Sequence, residues 1–140
     1  MKSLVDERLI ESKTIADRML GSKIFLFADL KPSDLKDGLP VVYAIFDKNT
    51  GEALYVGRTK NLRQRLYNNH LMGPKSNARL KKYLVEDPNV TDITTMTEAK
   101  QYLRDSCYFQ YIPEPDVIRR GQIEGLLSYL LNVRYIHEEH

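Results

Sequence analysis

The sequence predicts an α+β fold, and three observations carry the prediction. Residues 41–46 and 53–57 are rich in β-formers and are separated by Asp47-Lys48-Asn49-Thr50-Gly51-Glu52, a turn-forming run, so they pair as an antiparallel hairpin. A further strand covers residues 107–112 and is ended by Pro113 and Pro115. Helical spacing fills most of the rest; it is clearest from Asp116 onward, where Ile123, Leu126, Leu127, Leu130 and Leu131 recur at the i, i+3, i+4, i+7, i+8 positions of a buried face.

The remaining elements follow in chain order. Leu4, Ile10, Ile15, Met19 and Leu20 predict an amphipathic helix over residues 2–20, stopped at Gly21 and packed on the main body rather than held out for a partner. Residues 23–30 hold a short strand around Ile24, Phe25, Leu26 and Phe27, and the stretch from Pro32 to Pro40 is turn-rich. The expected organisation is therefore a helical extension over 1–39 packed on the core, a functional core over 40–136, and a tail over 137–140. Thr59 caps a helix running to about Asn69 with Leu62 and Leu66 inward. Ser76 caps the next, striped by Leu80, Tyr83 and Leu84 and broken at Asp87-Pro88-Asn89. Thr95 with Glu98 reads as a capping box for a helix to about Asp105, with Thr97 as the alternative cap.

Composition bounds the function classes. At 140 residues the chain has the size of one domain, and 42% hydrophobic with 29% charged residues sets it apart from disordered sequences. A formal charge of +2 does not by itself announce a nucleic-acid binder, so the placement of basic residues must decide. The single Cys107 excludes an internal disulfide and is read as a core residue; with three His it makes no zinc-spaced cluster. His70, His137 and His140 are read as surface or tail residues. Charges at Lys2, Asp6, Glu7, Arg8, Glu11, Lys13, Asp17 and Arg18 exclude a signal peptide or membrane span in the first twenty residues, and a cytoplasmic location is expected.

Four polar positions stand out against this scaffold. Any hairpin register whose paired numbers sum to an even value puts Tyr43 and Tyr55 on one face, leaving Val42, Ala44, Phe46, Leu54 and Val56 on an apolar one. Such a tyrosine pair is more often structural than catalytic. Arg65 and Glu124, however, flank the buried stripes of their helices, where a guanidinium can clamp a phosphate and a carboxylate needs a partner. A phenol with a pKa near about 10 needs a cation beside it to act at neutral pH. Arg58, Lys60 and Arg63 add to Arg65 a basic run suited to a phosphate backbone.

These residues resemble the GIY-YIG nucleases. The likeness rests on Val41-Val42-Tyr43, Leu54-Tyr55-Val56-Gly57, Arg65 and Glu124, with Thr59-Lys60-Asn61-Leu62-Arg63-Gln64-Arg65-Leu66 close to the family's strand-to-helix wording. It spans about residues 40–135. The resemblance implies a small three-stranded antiparallel sheet flanked by helices, and cleavage or nicking of DNA with one Mg²⁺ or Mn²⁺ ion, as in homing and restriction enzymes and repair nucleases. It implies Tyr43 as general base, Tyr55 as orienter of water or phosphate, Arg65 as phosphate clamp and Glu124 as metal ligand. Gly57 would allow close backbone packing. Arg58, Lys60 and Arg63 would track the DNA, with a homodimer or a separate targeting partner selecting the site.

Two positions depart from the family's pattern: Val41 stands where glycine is usual, and Ile136 where an asparagine follows the tyrosine matched by Tyr135. The second motivates an alternative expectation, a catalytically impaired domain serving as a DNA-binding or protein-interaction module.

Overall fold

The computed structural model describes residues 3–136; His137 and His140 lie outside them. In chain order the elements are α1 (Leu4–Leu20), β1 (Phe25–Leu26), a 3₁₀ turn (Pro32–Asp34), β2 (Val41–Asp47), β3 (Ala53–Thr59), a π-helix (Gln64–Leu71), α2 (Arg79–Glu86), α3 (Met96–Ser106), β4 (Cys107–Pro113) and α4 (Val117–Leu130). The strands form one antiparallel sheet in the order β1-β4-β2-β3. It has four strands rather than three because Phe25 and Leu26 pair with Phe109 and Tyr108 along the outer edge of β4.

The hairpin register runs from Val41↔Thr59 through Tyr43↔Gly57 to Ile45↔Tyr55, and every pair sums to 100, so both tyrosines share a face. A bulge then shifts the register to Phe46↔Ala53. That extra residue turns Leu54 into the same core as Tyr43 and Tyr55, not onto the face of Val42, Ala44 and Val56 where strict alternation puts it. The turn itself is wound around Asp47, whose Oδ1 accepts from the backbone N–H of Asn49 (2.8 Å) and Thr50 (3.1 Å), and Gly51 takes the left-handed φ of 76° that closes it.

Both faces of the sheet are covered. On one, Val42, Ala44, Phe46, Val56 and Ile112 pack against Ile15 and Met19 of α1 and Ile123 and Leu127 of α4. On the other, Val41, Tyr43, Ile45 and Phe109 meet Leu62, Leu66, Leu80, Leu84, Ala99 and Leu103 from the π-helix region, α2 and α3, together with Phe27 and Leu35 from the N-terminal segment. All seven residues of β2 are buried. The tyrosine face is thus itself a hydrophobic core. Only the C-terminal half of α1 is buried; Leu4, Val5, Leu9 and Ile10 stay exposed.

The helix ends follow local chemistry. Thr95 and Glu98 form the expected capping box, and Asp116 caps α4. The helix after β3 is capped by Asn61, whose Oδ1 accepts from Gln64 N, while Thr59 turns its hydroxyl onto the backbone of Asn61. No side chain caps α2, which starts after Ala78, so Ser76 does not hold the expected place. The far end of the π-helix is closed by Lys81, a buried lysine whose Nζ donates to the carbonyls of Leu71 (2.8 Å) and Gly73 (2.9 Å). Lys81→Met is expected to lower stability by about 1–3 kcal/mol, because both carbonyls lose their donor inside the protein; urea unfolding measures it.

β3 is an edge strand, and its first half is covered by the chain beyond α4. Arg134 N donates to Ala53 O and Tyr135 N to Leu54 O, each at 3.0 Å, and Tyr55 and Tyr135 form a parallel bridge. Tyr135 is fastened by its hydroxyl to Asp87 Oδ2 (2.7 Å), and Arg134 by an ion pair with Glu52. From Val56 onward the edge is left for side chains to occupy.

Candidate active site

The site is built outward from Tyr43. Its ring is fully buried and lies across Gly57, its register partner; a Cβ at that glycine would sit 2.3 Å from the Tyr43 hydroxyl. Room for the phenol, more than backbone packing between strand and helix, is therefore what the glycine supplies. Gly57→Ala is expected to cost about 1–3 kcal/mol, the scale of core overpacking, and to displace the phenol from its partners. A thermal melt paired with the near-ultraviolet tyrosine signal checks both effects.

Those partners are His70 and Arg65. The Tyr43 hydroxyl shares a hydrogen bond with His70 Nε2 at 2.6 Å and accepts another from Arg65 Nε at 3.2 Å. Burial pushes the phenol's pKa well up, with Tyr55 alongside adding to the rise and Arg65 opposing it. His70 is fully buried, contrary to its expected place on the surface, and its Nδ1 has no hydrogen-bond partner. Burial first, then Arg65, Lys81 and Arg79, hold its pKa well below the usual value, so the ring is neutral. His70 lies five positions after Arg65; on a 3.6-residue α-helix they would point well apart, and the wider π turn brings both to Tyr43.

Beyond this buried network lies an open pocket of about 490 Å³ lined by Tyr55, Arg58, Arg65, Arg79 and Glu124. Its walls come from three directions: the edge strand, the helices on the tyrosine face, and α4 from the opposite face. Arg65 forms the shared wall between network and pocket; beyond Tyr43 it reaches the Asn77 carbonyl through Nη1 (3.3 Å) and stands beside the Tyr55 hydroxyl. The Tyr55 pKa is raised by burial, against the pull of Arg65 and Arg79. Glu124 is half-buried, and burial raises its carboxyl above the ordinary range, offset in part by Arg58 and then by Arg79 and Arg65. Arg58 Nε lies 3.7 Å from Glu124 Oε1, and its guanidinium rests on α4 where Gly121 has no side chain.

Of the residues singled out in the sequence, Tyr55, Arg58, Arg65 and Glu124 line this pocket together. Tyr43 does not line it but adjoins it through Arg65, which donates to its hydroxyl, and through the ring of Tyr55, 6.2 Å away. Arg63 is turned inward, donating from Nε to the Leu35 carbonyl (3.0 Å), and Lys60 is exposed away from the pocket lining. Arg79 and His70 are the additions. Their only advance signal was spacing on helices whose start or pitch the sequence does not show.

A metal site can be tested against this donor set. Among the described residues no group of three or more His, Cys, Asp or Glu side chains gathers as a protein cage. Among the described residues Glu124 is the one carboxylate lining the pocket. A single carboxylate suits an ion that keeps several waters and draws its remaining ligands from a phosphate, and the three guanidiniums around it provide for that phosphate. The residues therefore fit a divalent ion that arrives with its substrate.

The family model for the GIY-YIG catalytic domain matches residues 39–111, a span holding Tyr43, Tyr55, Gly57, Arg58, Arg65, His70 and Arg79 and ending before Glu124. No curated protein and no solved structure matches the chain. Among the described residues no helix is long and apolar enough to cross a membrane. With more than half of its 140 residues inside the match, and an α+β architecture that fits it, the chain belongs to the GIY-YIG family of DNA-cleaving nucleases.

Proposed function

We propose that this chain is a divalent-metal-dependent DNA endonuclease or nickase that hydrolyses a phosphodiester lying in the edge pocket. The observation that carries the reading is the meeting of Tyr55, Arg65 and Glu124, drawn from the hairpin, the π-helix and α4, around one open space. Arg65 grips the non-bridging oxygens of the phosphate through the planar fork of its guanidinium, and Arg58 and Arg79 add charge on either side. The Tyr55 hydroxyl, at the pocket wall, orients the attacking water. Tyr43 was the sequence's choice for general base; with its hydroxyl enclosed by His70 and Arg65, we assign it instead the task of holding Arg65 in place. Glu124 is the carboxylate that would hold the ion. When bound, Mg²⁺ or Mn²⁺ supplies positive charge to the phosphoryl oxygens and eases departure of the leaving oxygen.

Nicking of supercoiled plasmid by the purified protein tests this. Relaxation with Mg²⁺ or Mn²⁺ and none in EDTA is the expected result, and cleavage that continues unchanged in EDTA, or in protein lacking the Glu124 carboxylate, overturns it. A second reading, a DNA-binding module without catalysis, is favoured by Ile136, an apolar residue beside Glu124 at the position of the family's asparagine. Salt-dependent DNA binding with no metal-stimulated cleavage on any substrate would select that reading.

A further inference from the structure

The three arginines of the phosphate pocket are not held alike. Arg65 and Arg79 come from the helices on the tyrosine face, and Arg65 is fixed by its bonds to Tyr43 and Asn77. Arg58 pairs with Val42 in the hairpin register and leaves β3 on the other face, the one that α4 covers. There its guanidinium is seated on Gly121, where an added Cβ would collide with Nη1, and its Nε stands 3.7 Å from Oε1 of Glu124. Gly121 and Glu124 are one turn apart on α4, so a single stretch of helix supplies both the seat and the charge. A glycine inside a helix weakens it relative to alanine, and the sequence accepts that weakness at the turn where Arg58 is laid. The contact is loose all the same. It is longer than a hydrogen bond, and the two side chains are 50% and 30% exposed, so water and incoming groups reach both.

We infer that Arg58 is an exchangeable latch on the metal carboxylate: it occupies Glu124 in the free protein and is drawn off by the phosphate of bound DNA, so that the divalent ion loads after DNA. The inference rests on Glu124 being the ion's ligand, as proposed above. Two cations repel each other at one carboxylate, so an ion reaching Glu124 in the free protein must contend with the guanidinium. A phosphate in the pocket gives Arg58 a better partner, because paired N–H donors on a phosphate make shorter and stronger bonds than this contact. Glu124 is then released to the ion, whose further oxygen ligands include the same phosphate. Linkage makes the effect reciprocal, since the factor by which DNA tightens the ion is the factor by which the ion tightens DNA. The free protein thus carries little metal, and the cutting site is completed only on its substrate.

Mn²⁺ binding to the protein without DNA, read from loss of the free ion's electron paramagnetic resonance signal, tests the latch apart from cleavage. Arg58→Gln is expected to tighten Mn²⁺ about fivefold, the scale of one solvent-screened charge pair. Gly121→Ala keeps every charge but unseats the guanidinium, and is expected to tighten Mn²⁺ similarly; alanine suits a helix, so the fold is not at risk. Arg79→Gln, which removes a pocket cation from the other face, is expected to have a clearly smaller effect. In a second arm, the anisotropy of a labelled duplex gives its affinity in EDTA and in Ca²⁺, an ion of the same charge. The gain on adding Ca²⁺ should shrink in Arg58→Gln and Gly121→Ala by the factor that Mn²⁺ binding rose. Unchanged Mn²⁺ affinity in either of those variants, a rise matched by Arg79→Gln, or an undiminished Ca²⁺ gain overturns the latch and leaves the nuclease reading standing. Mn²⁺ binding that survives the double change of Arg58→Gln with Glu124→Gln places the ligand elsewhere, and the functional reading falls together with the latch.

Discussion

Glu124→Ala protein is expected to nick DNA more than about 100-fold more slowly than wild type while melting no lower. Loss of groups one step removed from a metal commonly costs about 10–100-fold, and Glu124 is the sole carboxylate of the pocket among the described residues, so its removal is expected to exceed that range. The stability half of the expectation comes from linkage. Burial raises the Glu124 pKa above its unfolded value, so the folded protein binds that proton more tightly than the unfolded chain does. The ionised side chain therefore destabilises the fold, fully above its folded pKa and not at all below the unfolded one. At neutral pH its removal relieves a cost, so Glu124→Gln should melt at or above the wild-type temperature, and a fall in Tm would argue that the residue is structural. In the metal-free protein Arg58→Gln, which removes the largest opposing charge, should raise the Glu124 pKa further, as NMR titration of the carboxyl would measure.

Arg65→Lys keeps the charge and is nevertheless expected to slow the chemical step by about 10²–10³, the usual loss when a preorganised donor to the reacting group is removed. The side chain has three duties that an ammonium cannot perform together. Its Nε donates to Tyr43, its Nη1 donates to Asn77 O, and the same planar group faces Tyr55 and the pocket. DNA affinity in EDTA should change little, because the net charge is retained. A single-turnover rate close to wild type would mean that Arg65 acts only as a diffuse cation, and the clamp would have to be sought in Arg58 or Arg79.

The parts of the fold that were legible in the sequence are those governed by local chemistry. The hairpin could be read because β-formers flank a turn of Asp, Asn and Gly, and the capping box because Thr95 and Glu98 satisfy each other's backbone partners within one turn. What escaped depended on geometry that single residues do not announce. A bulge moved Leu54 across the sheet. A π-helix changed which residues share a side, and so carried His70 from an expected surface position to the hydroxyl of Tyr43. Arg79 was passed over because Ser76, the apparent cap, is not the start of its helix. Tyr43 and Tyr55 look equivalent in an alternating strand, yet one is sealed under the π-helix while the other reaches the pocket, a difference set by which strand lies at the sheet's edge.

That the backbone of residues 134 and 135 is laid along the start of β3 bears on the order in which a ribosome finishes this protein. Translation delivers the hairpin early, but Glu124 and the chain that shields Ala53 and Leu54 emerge some eighty positions later. Until then the nascent molecule shows an unguarded row of amides able to recruit foreign strands, and it lacks the carboxylate that the proposed function assigns to the metal. Emergence of this last stretch covers the edge and, on the function proposed above, completes the site, so a product truncated before residue 124 should be sticky and harmless to DNA rather than prematurely active.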